Sequence, residues 1–238
     1  MKILIVGASK GLGRAFVEGL PDNNDSIIGI SRNKPTGLQL KANVNLDWIE
    51  VDLSDSIKAT DIIEQQAPAE LDVIIYNLGV WEELAFTGDY RYLQSSDEEI
   101  VNLVQVNITS AIILLKRMIP RLLKSARPQI VLTGSTSGLP QSGQAEVAFG
   151  ASKFALRGIA DAIREGFREN NLAVTCLQLG DLNTDDALSE SLSKACQRGN
   201  GSLIPVHDVV SITKTLLNLS TSSFVKEIVL PAIRDERF

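Results

Sequence analysis

Apolar residues fall along this chain in short unbroken runs, separated by longer stretches in which they recur every three or four positions. The runs cover 3–6, 26–30, 71–76, 128–133, 172–179 and 228–230, most of them rich in β-branched residues, while 46–51 alternates toward a further strand. Such runs suit strands buried on both faces, as in a parallel sheet covered by helices. Between them, Phe16, Val17 and Leu20 share one face of a helix over 14–20, and an amphipathic pattern runs to Gln66 with Ser54 or Asp55 as its cap. Ile100, Leu103, Val104, Ala111, Leu114, Leu115, Met118 and Leu122 form a broad stripe along one helical region over 97–124. Further helices are expected from 149 to about 170, as a polar helix over 185–199, and from Pro205, with proline near the first turn. Residues 33–45 are too short and polar for a full crossover helix and read as a turn. The stretch 80–94 is long and irregular; its Trp81, Phe86, Tyr90 and Tyr92 suit packing more than ligand contact, in a loop placed to overhang a site. The alternation predicts one α/β domain over 1–238, a doubly wound parallel sheet of about seven strands flanked by helices.

Composition leaves that picture intact. A chain of 238 residues, 44% apolar and 22% charged, is proportioned for one globular core. The apolar runs fall short of a membrane span and the N-terminus enters a strand at once, so the expectation is a cytoplasmic protein with no membrane partner. A net charge of −6 argues against nucleic acid and leaves room for a local basic pocket. Cys176 in a strand and Cys196 in a polar helical segment read as idle thiols, no metal-ligand cluster exists, and the lone His207 reads as a surface residue at a helix start.

Candidate chemistry begins where the first strand ends. Gly7 stops the run, Gly11 and Gly13 follow, and a helix opens at once. Strand, glycine loop and helix together bring backbone N–H groups and the positive end of a helix toward an anion, and glycines admit a diphosphate closely. At the end of the second strand, where an acidic residue would hold the ribose hydroxyls of NAD, stands Arg32, whose planar fork pairs with a 2′-phosphate. Lys10 adds a second cation inside the loop. The expected cofactor is therefore NADP(H); the other reading of either cation is a solvated loop residue.

The loop Gly7-Ala-Ser9-Lys10-Gly11-Leu12-Gly13, spaced G-x-x-x-G-x-G, closely resembles the cofactor loop of the short-chain dehydrogenase/reductase family, and the resemblance runs along essentially the whole chain. It implies a single-domain Rossmann fold, and in it the pairing of Lys10 with Arg32 marks NADP preference. The resemblance also places Asp52 beside the adenine and Leu53 against it, although Asp52 equally suits a turn cap. Asn77 and Gly79 keep two letters of the family's Asn-Asn-Ala-Gly, with Tyr76 and Leu78 in place of the others. Gly180, Leu182 and Thr184 keep the register of the Pro-Gly-x-Val-x-Thr that grips the nicotinamide amide, with Leu179 in place of the proline. Asn107 corresponds to an asparagine that distorts its helix and holds a water in a proton relay, the alternative being a buried polar group partnered for structure. The family commonly pairs the 97–124 helix across a subunit interface, so a homodimer or homotetramer is expected.

The catalytic signature of that family is a serine past the fifth strand, then Tyr-x-x-x-Lys on the next helix, one turn apart and on one face. Ser135 and Lys153 match, and the tyrosine position holds Phe149. In the family mechanism tyrosine moves the proton at a carbonyl or alcohol oxygen, lysine lowers its pKa and also bonds the nicotinamide ribose, and serine orients the substrate oxygen. Phenylalanine has no proton to give. A Tyr→Phe change needs no backbone adjustment, so a natural and an introduced Phe149 read alike. Two functions follow: an NADP(H)-dependent oxidoreductase of a small carbonyl or alcohol substrate impaired at Phe149, or a cofactor-binding protein without turnover.

Overall fold

A computed structural model describes residues 1–237. In chain order the elements are β1 (Lys2–Val6), α1 (Gly11–Gly19), β2 (Ser26–Ser31), β3 (Asn45–Glu50), α2 (Ser56–Gln66) and β4 (Val73–Tyr76). There follow α3 (Asp97–Val104), α4 (Ser110–Leu122), β5 (Gln129–Thr133), α5 (Val147–Gly166), β6 (Ala173–Leu179), the short β7 (Leu182–Asn183), α6 (Leu192–Gln197), β8 (Ile204–Pro205), α7 (Val206–Leu217) and β9 (Glu227–Leu230). Seven strands form one parallel sheet in the order β3-β2-β1-β4-β5-β6-β9, and β7 pairs with β8 apart from it. The order reverses between β1 and β4, so a crevice opens at their C-terminal ends, the usual ligand position of such sheets.

Unbroken apolar runs become two cores because side chains alternate along a strand. Leu4 and Val6 of β1, Ile74 and Tyr76 of β4 and Ile130 and Leu132 of β5 pack on one face, against Ile63 of α2, Leu114 and Met118 of α4 and Leu156 of α5. Ile3 and Ile5, Val73 and Ile75, and Val131 face the other way, onto Phe16 and Val17 of α1 and Val209 and Leu217 of α7. Each fully buried Leu, Ile or Phe in these layers contributes roughly 1.5–3 kcal/mol by leaving water. By length and composition the stretch Asp97–Leu122 would also suit a membrane span, but here its buried residues, among them Leu103, Ala111, Leu114, Met118 and Leu122, pack inside the protein.

The helical region over 97–124 is distorted at Asn107, as the resemblance implies: Gln105–Thr109 forms a π-turn between α3 and α4. Such a turn frees a backbone group, and the Val106 carbonyl oxygen accepts both the Tyr76 hydroxyl and the Ser110 hydroxyl. Two other expectations need correction. The polar helix over 185–199 shrinks to α6. Asn183 captures Asp186, its Nδ2 donating to Oδ2 at 2.8 Å, and the Arg198 guanidinium folds back onto the same carboxylate at 2.8 and 3.0 Å. The chain therefore closes in polar turns until Ser191 caps α6. Arg198 holds the Asp186 carboxyl well below the usual carboxylate range. His207 is a half-buried tie rather than a surface residue. Its Nε2 lies 3.1 Å from the Leu188 carbonyl and 2.9 Å from that of Glu190, so Nε2 carries the proton and donates.

Candidate active site

The glycine loop is built by close approach. Gly7 and Ala8 donate their amides to the Ile30 carbonyl at 2.9 and 3.1 Å, which turns the chain across the end of β2. A side chain at Gly13 would collide with the Gly7 carbonyl oxygen and would stand 2.9 Å from Asn77 Nδ2. Asn77 is itself fixed by its amide, which donates to the Val6 carbonyl at 3.0 Å. Helix α1 starts at Gly11 with no side-chain cap on its first N–H groups and no acidic residue in its first turn. Uncapped donors and the helix dipole suit an anion there. Lys10 and Arg32 are exposed and, among the described residues, neither forms an ion pair. Ser9 is half-buried in the loop, while Leu12 turns inward to the core beneath α1.

The remaining cofactor candidates divide. Gly11 and Thr184 come together: a Cβ at Gly11 would lie 3.3 Å from the Thr184 methyl. Gly180 donates to the Leu230 carbonyl at 2.9 Å, and Leu182 pairs with Ile204 in the small β7–β8 ladder that carries Thr184 outward. Asp52 turns its carboxylate to its own chain, accepting the Ser54 amide at 2.9 Å, which is the turn-cap arrangement. Leu53 is buried in the core with α2 and β3.

The reactive group gathers from three segments: the turn after β5, the π-turn and α5. Ser135 follows β5 and caps a short 3-10 turn over Thr136–Gly138, its Oγ accepting the Ser137 amide at 3.1 Å. Among the described residues its hydroxyl proton has no acceptor, so it is free to donate to an oxygen placed there. Lys153 is buried, with Nζ donating to the Thr133 carbonyl at 3.2 Å, 5.3 Å from the centroid of the Phe149 ring, and 3.3 Å from where a Cβ on Gly79 would stand. Burial pushes the Lys153 amine down to about 8, because a charged ammonium in an apolar site loses its hydration. Asn107, set inward by the π-turn, accepts the Val80 amide at 2.8 Å and donates to the Val80 carbonyl at 2.7 Å and to Ser152 Oγ at 3.0 Å. Its side chain thus ties the loop after β4 to α5.

Phe149 is walled in by the 80–94 loop. Its ring meets Phe86 at 5.2 Å and Trp81 at 6.4 Å, both edge to face. The loop also supplies the cap that α5 lacks locally. Glu82 Oε1 accepts the Ala148 and Phe149 amides at 2.9 and 3.2 Å, and the Tyr90 hydroxyl accepts that of Val147 at 3.1 Å. Glu146 reciprocates by accepting the Phe86 amide at 2.8 Å. Sequence reasoning missed Glu82, because a cap 66 residues from its helix leaves no local signal. It also passed over Gln178, the one strongly polar side chain in an otherwise buried strand, which composition within the run could have flagged.

The family model for short chain dehydrogenase matches residues 1–194. The chain belongs to the short-chain dehydrogenase family. An NADPH-dependent pterin aldehyde reductase of Arabidopsis thaliana is 27% identical over 227 residues, covering 92% of this chain and 88% of the relative. The 3-oxoacyl-acyl-carrier-protein reductase FabG of Escherichia coli is 25% identical over 187 residues, covering 76% of this chain and 73% of the relative. Among solved structures, the RhlG/NADP active-site complex of Pseudomonas aeruginosa superposes with a TM-score of 0.78 at 18% identity, over 96% of this chain and 93% of that one. The oxidoreductase family and the Rossmann fold agree with the sheet order and with the crevice between β1 and β4.

Proposed function

We propose that this short-chain dehydrogenase binds NADP(H) across the β1–β4 crevice and reduces or oxidises a small carbonyl or alcohol substrate. The observation that carries the reading is the uncapped start of α1 together with two exposed cations, Lys10 and Arg32, that form no ion pair among the described residues. The α1 amides would hold the diphosphate, and Lys10 and Arg32 the 2′-phosphate. Thr184 and the backbone from Gly180 to Leu182 would hold the nicotinamide end, next to Gly11. The NADPH dependence of the Arabidopsis relative supports the same choice.

When bound, the cofactor supplies or accepts the hydride; the chain's own residues manage the oxygen. Ser135 Oγ would donate a hydrogen bond to the substrate oxygen and fix the carbonyl's direction, and the proton that the oxygen gains on reduction would come from water. Lys153, positive below about pH 8, would hold the nicotinamide ribose and supply a cation to the site. Phe149 has no proton to move, which makes turnover slow and gives weight to a second reading, a cofactor-binding protein without turnover. Exposed Val101, Val104, Ile112 and Phe154 on α3, α4 and α5 support self-association through that face.

Thermal unfolding with each cofactor tests the binding step: NADPH raises the melting temperature more than NADH does, and equal shifts would sink the Lys10/Arg32 argument. Slow NADPH consumption with at least one member of a panel of aldehydes and ketones supports the enzyme. Binding without any turnover, in the native chain and in Phe149→Tyr, supports the second reading.

A further inference from the structure

Behind Ser135 lies a hydrogen-bonded clamp that the proposed reaction does not itself use. Gln178, near the end of β6, is completely buried. Its Oε1 accepts the Ser135 amide at 3.0 Å, and its Nε2 donates to Glu227 Oε1 of β9 at 2.7 Å and to Cys176 Sγ at 3.4 Å. Glu227 is gripped in turn by Arg157 of α5, Nε to Oε1 at 2.8 Å and Nη2 to Oε2 at 3.2 Å. The same guanidinium donates from Nη1 to the Gly138 carbonyl at 3.3 Å. The path closes a ring: Ser135 and Gly138 are the two ends of one turn, joined directly by the Gly138 amide donating to the Ser135 carbonyl at 2.8 Å. The amide of Gln178 can face only one way in this ring, since Ser135 offers an N–H and Glu227 offers a carboxylate. Room for it comes from Gly134, where any side chain would collide with Gln178 Oε1.

We propose that Gln178 is a positioning residue for Ser135, with Gly134 as its steric prerequisite and the Arg157–Glu227 pair as its anchor. The ring fixes the Ser135 backbone in its extended conformation, φ −153° and ψ 153°, and so sets where Oγ points. A carboxamide joins the two halves because it accepts at one end and donates at the other. The role rests on the reading that Ser135 orients the substrate oxygen.

The test pairs a structural readout with a kinetic one. Gln178→Leu, close in size, removes both hydrogen-bonding ends. Amide exchange over 134–139 is expected to speed up at least about 10-fold, while α1 amides and the NADPH-induced melting shift stay unchanged. In a Phe149→Tyr background, Gln178→Leu is expected to lower kcat for carbonyl reduction about 10-fold with little change in KM. In the same background carrying Ser135→Ala it is expected to cost less than about 2-fold, because a residue acting through Ser135 has nothing left to position. Gly134→Ala, whose methyl would meet Gln178 Oε1, displaces the clamp while leaving Gln178 in place, and it should reproduce both readouts even if Gln178→Leu folds poorly. Unchanged exchange over 134–139, equal costs with and without Ser135, or native readouts in Gly134→Ala each overturn the proposal. Faster exchange with no turnover in any background leaves the clamp standing and removes the oxidoreductase reading instead.

Discussion

Replacing Phe149 by tyrosine should turn a slow site into a fast one. The ring position is already set: the Phe149 amide is held by Glu82, and the ring packs edge to face on Phe86 and Trp81. A para hydroxyl adds one donor beside a buried lysine whose Nζ lies 5.3 Å from the ring centroid. With its amine at about 8, Lys153 is mostly ammonium at neutral pH and would favour a phenolate neighbour, lowering the tyrosine pKa toward the working range. General acid assistance of this kind gives roughly 10²- to 10⁴-fold in rate, or about 3–5 kcal/mol of barrier. Left without a partner, the hydroxyl would cost about 1–3 kcal/mol of stability, so the melting temperature should fall by no more than several degrees. The assay is loss of reduced nicotinamide absorbance with a panel of aldehydes and ketones at saturating NADPH. A kcat gain of about 100-fold or more is expected, with cofactor affinity unchanged. Reduction by the variant should slow as pH rises past the tyrosine's apparent pKa, since only the protonated phenol donates. Undiminished NADPH binding with no rate gain on any substrate would refute the reasoning.

Lys153→Met should stabilise the protein most at neutral pH. The amine sits at about 8 in the fold against the ordinary 10.5 of an unfolded chain, so below 8 both states are protonated and the buried charge costs the fold its full penalty, about 3 kcal/mol. Urea unfolding should show the gap between variant and native chain shrinking as pH rises from 8 to 10.5; a constant gap contradicts the assigned cause. Gly13→Ala forces a methyl onto the Gly7 carbonyl oxygen, and should cost about 1–3 kcal/mol of stability and abolish the NADPH-induced melting shift; a retained shift would mean the loop does not hold the diphosphate. Arg32→Asp replaces the cation proposed to pair with the 2′-phosphate by an acid suited to ribose hydroxyls, so the larger melting shift should pass from NADPH to NADH, and an unaltered preference would remove Arg32 from the site.

The sheet was legible because its strands are buried on both faces. Runs such as 73–76 and 130–132 carry apolar side chains at every position, and only burial from two sides gives every one of them a core to enter. The glycine loop was legible for a similarly local reason, since Gly7, Gly11 and Gly13 each answer to a constraint within a few residues or across one strand. Segment 185–199 misled because its polar residues fit an exposed helix face, while their actual partners lie along the same stretch: Asn183 and Arg198 both spend their donors on Asp186. The π-turn was beyond periodicity altogether, because the Tyr76 hydroxyl that accommodates the freed Val106 carbonyl comes from another strand.

Non-local partners explain why the reactive segment was the hardest part to read. Helix α5 carries Phe149 and Lys153 but begins without a cap of its own, since Glu146 makes no side-chain bond to its first turn. Rules of helix capping look three residues ahead; here Glu82 and Tyr90, from a loop on the far side of α3 and α4 in sequence, take the first three N–H groups instead. The same loop therefore both walls in the Phe149 ring and fixes its backbone. Ser135 is held in the corresponding way from behind, by a glutamine on β6 and an ion pair between α5 and β9. Each side chain of the reactive group is thus aimed by residues distant in sequence, so a motif can name Ser135 and Lys153 while the groups that orient them emerge only once the sheet is assembled.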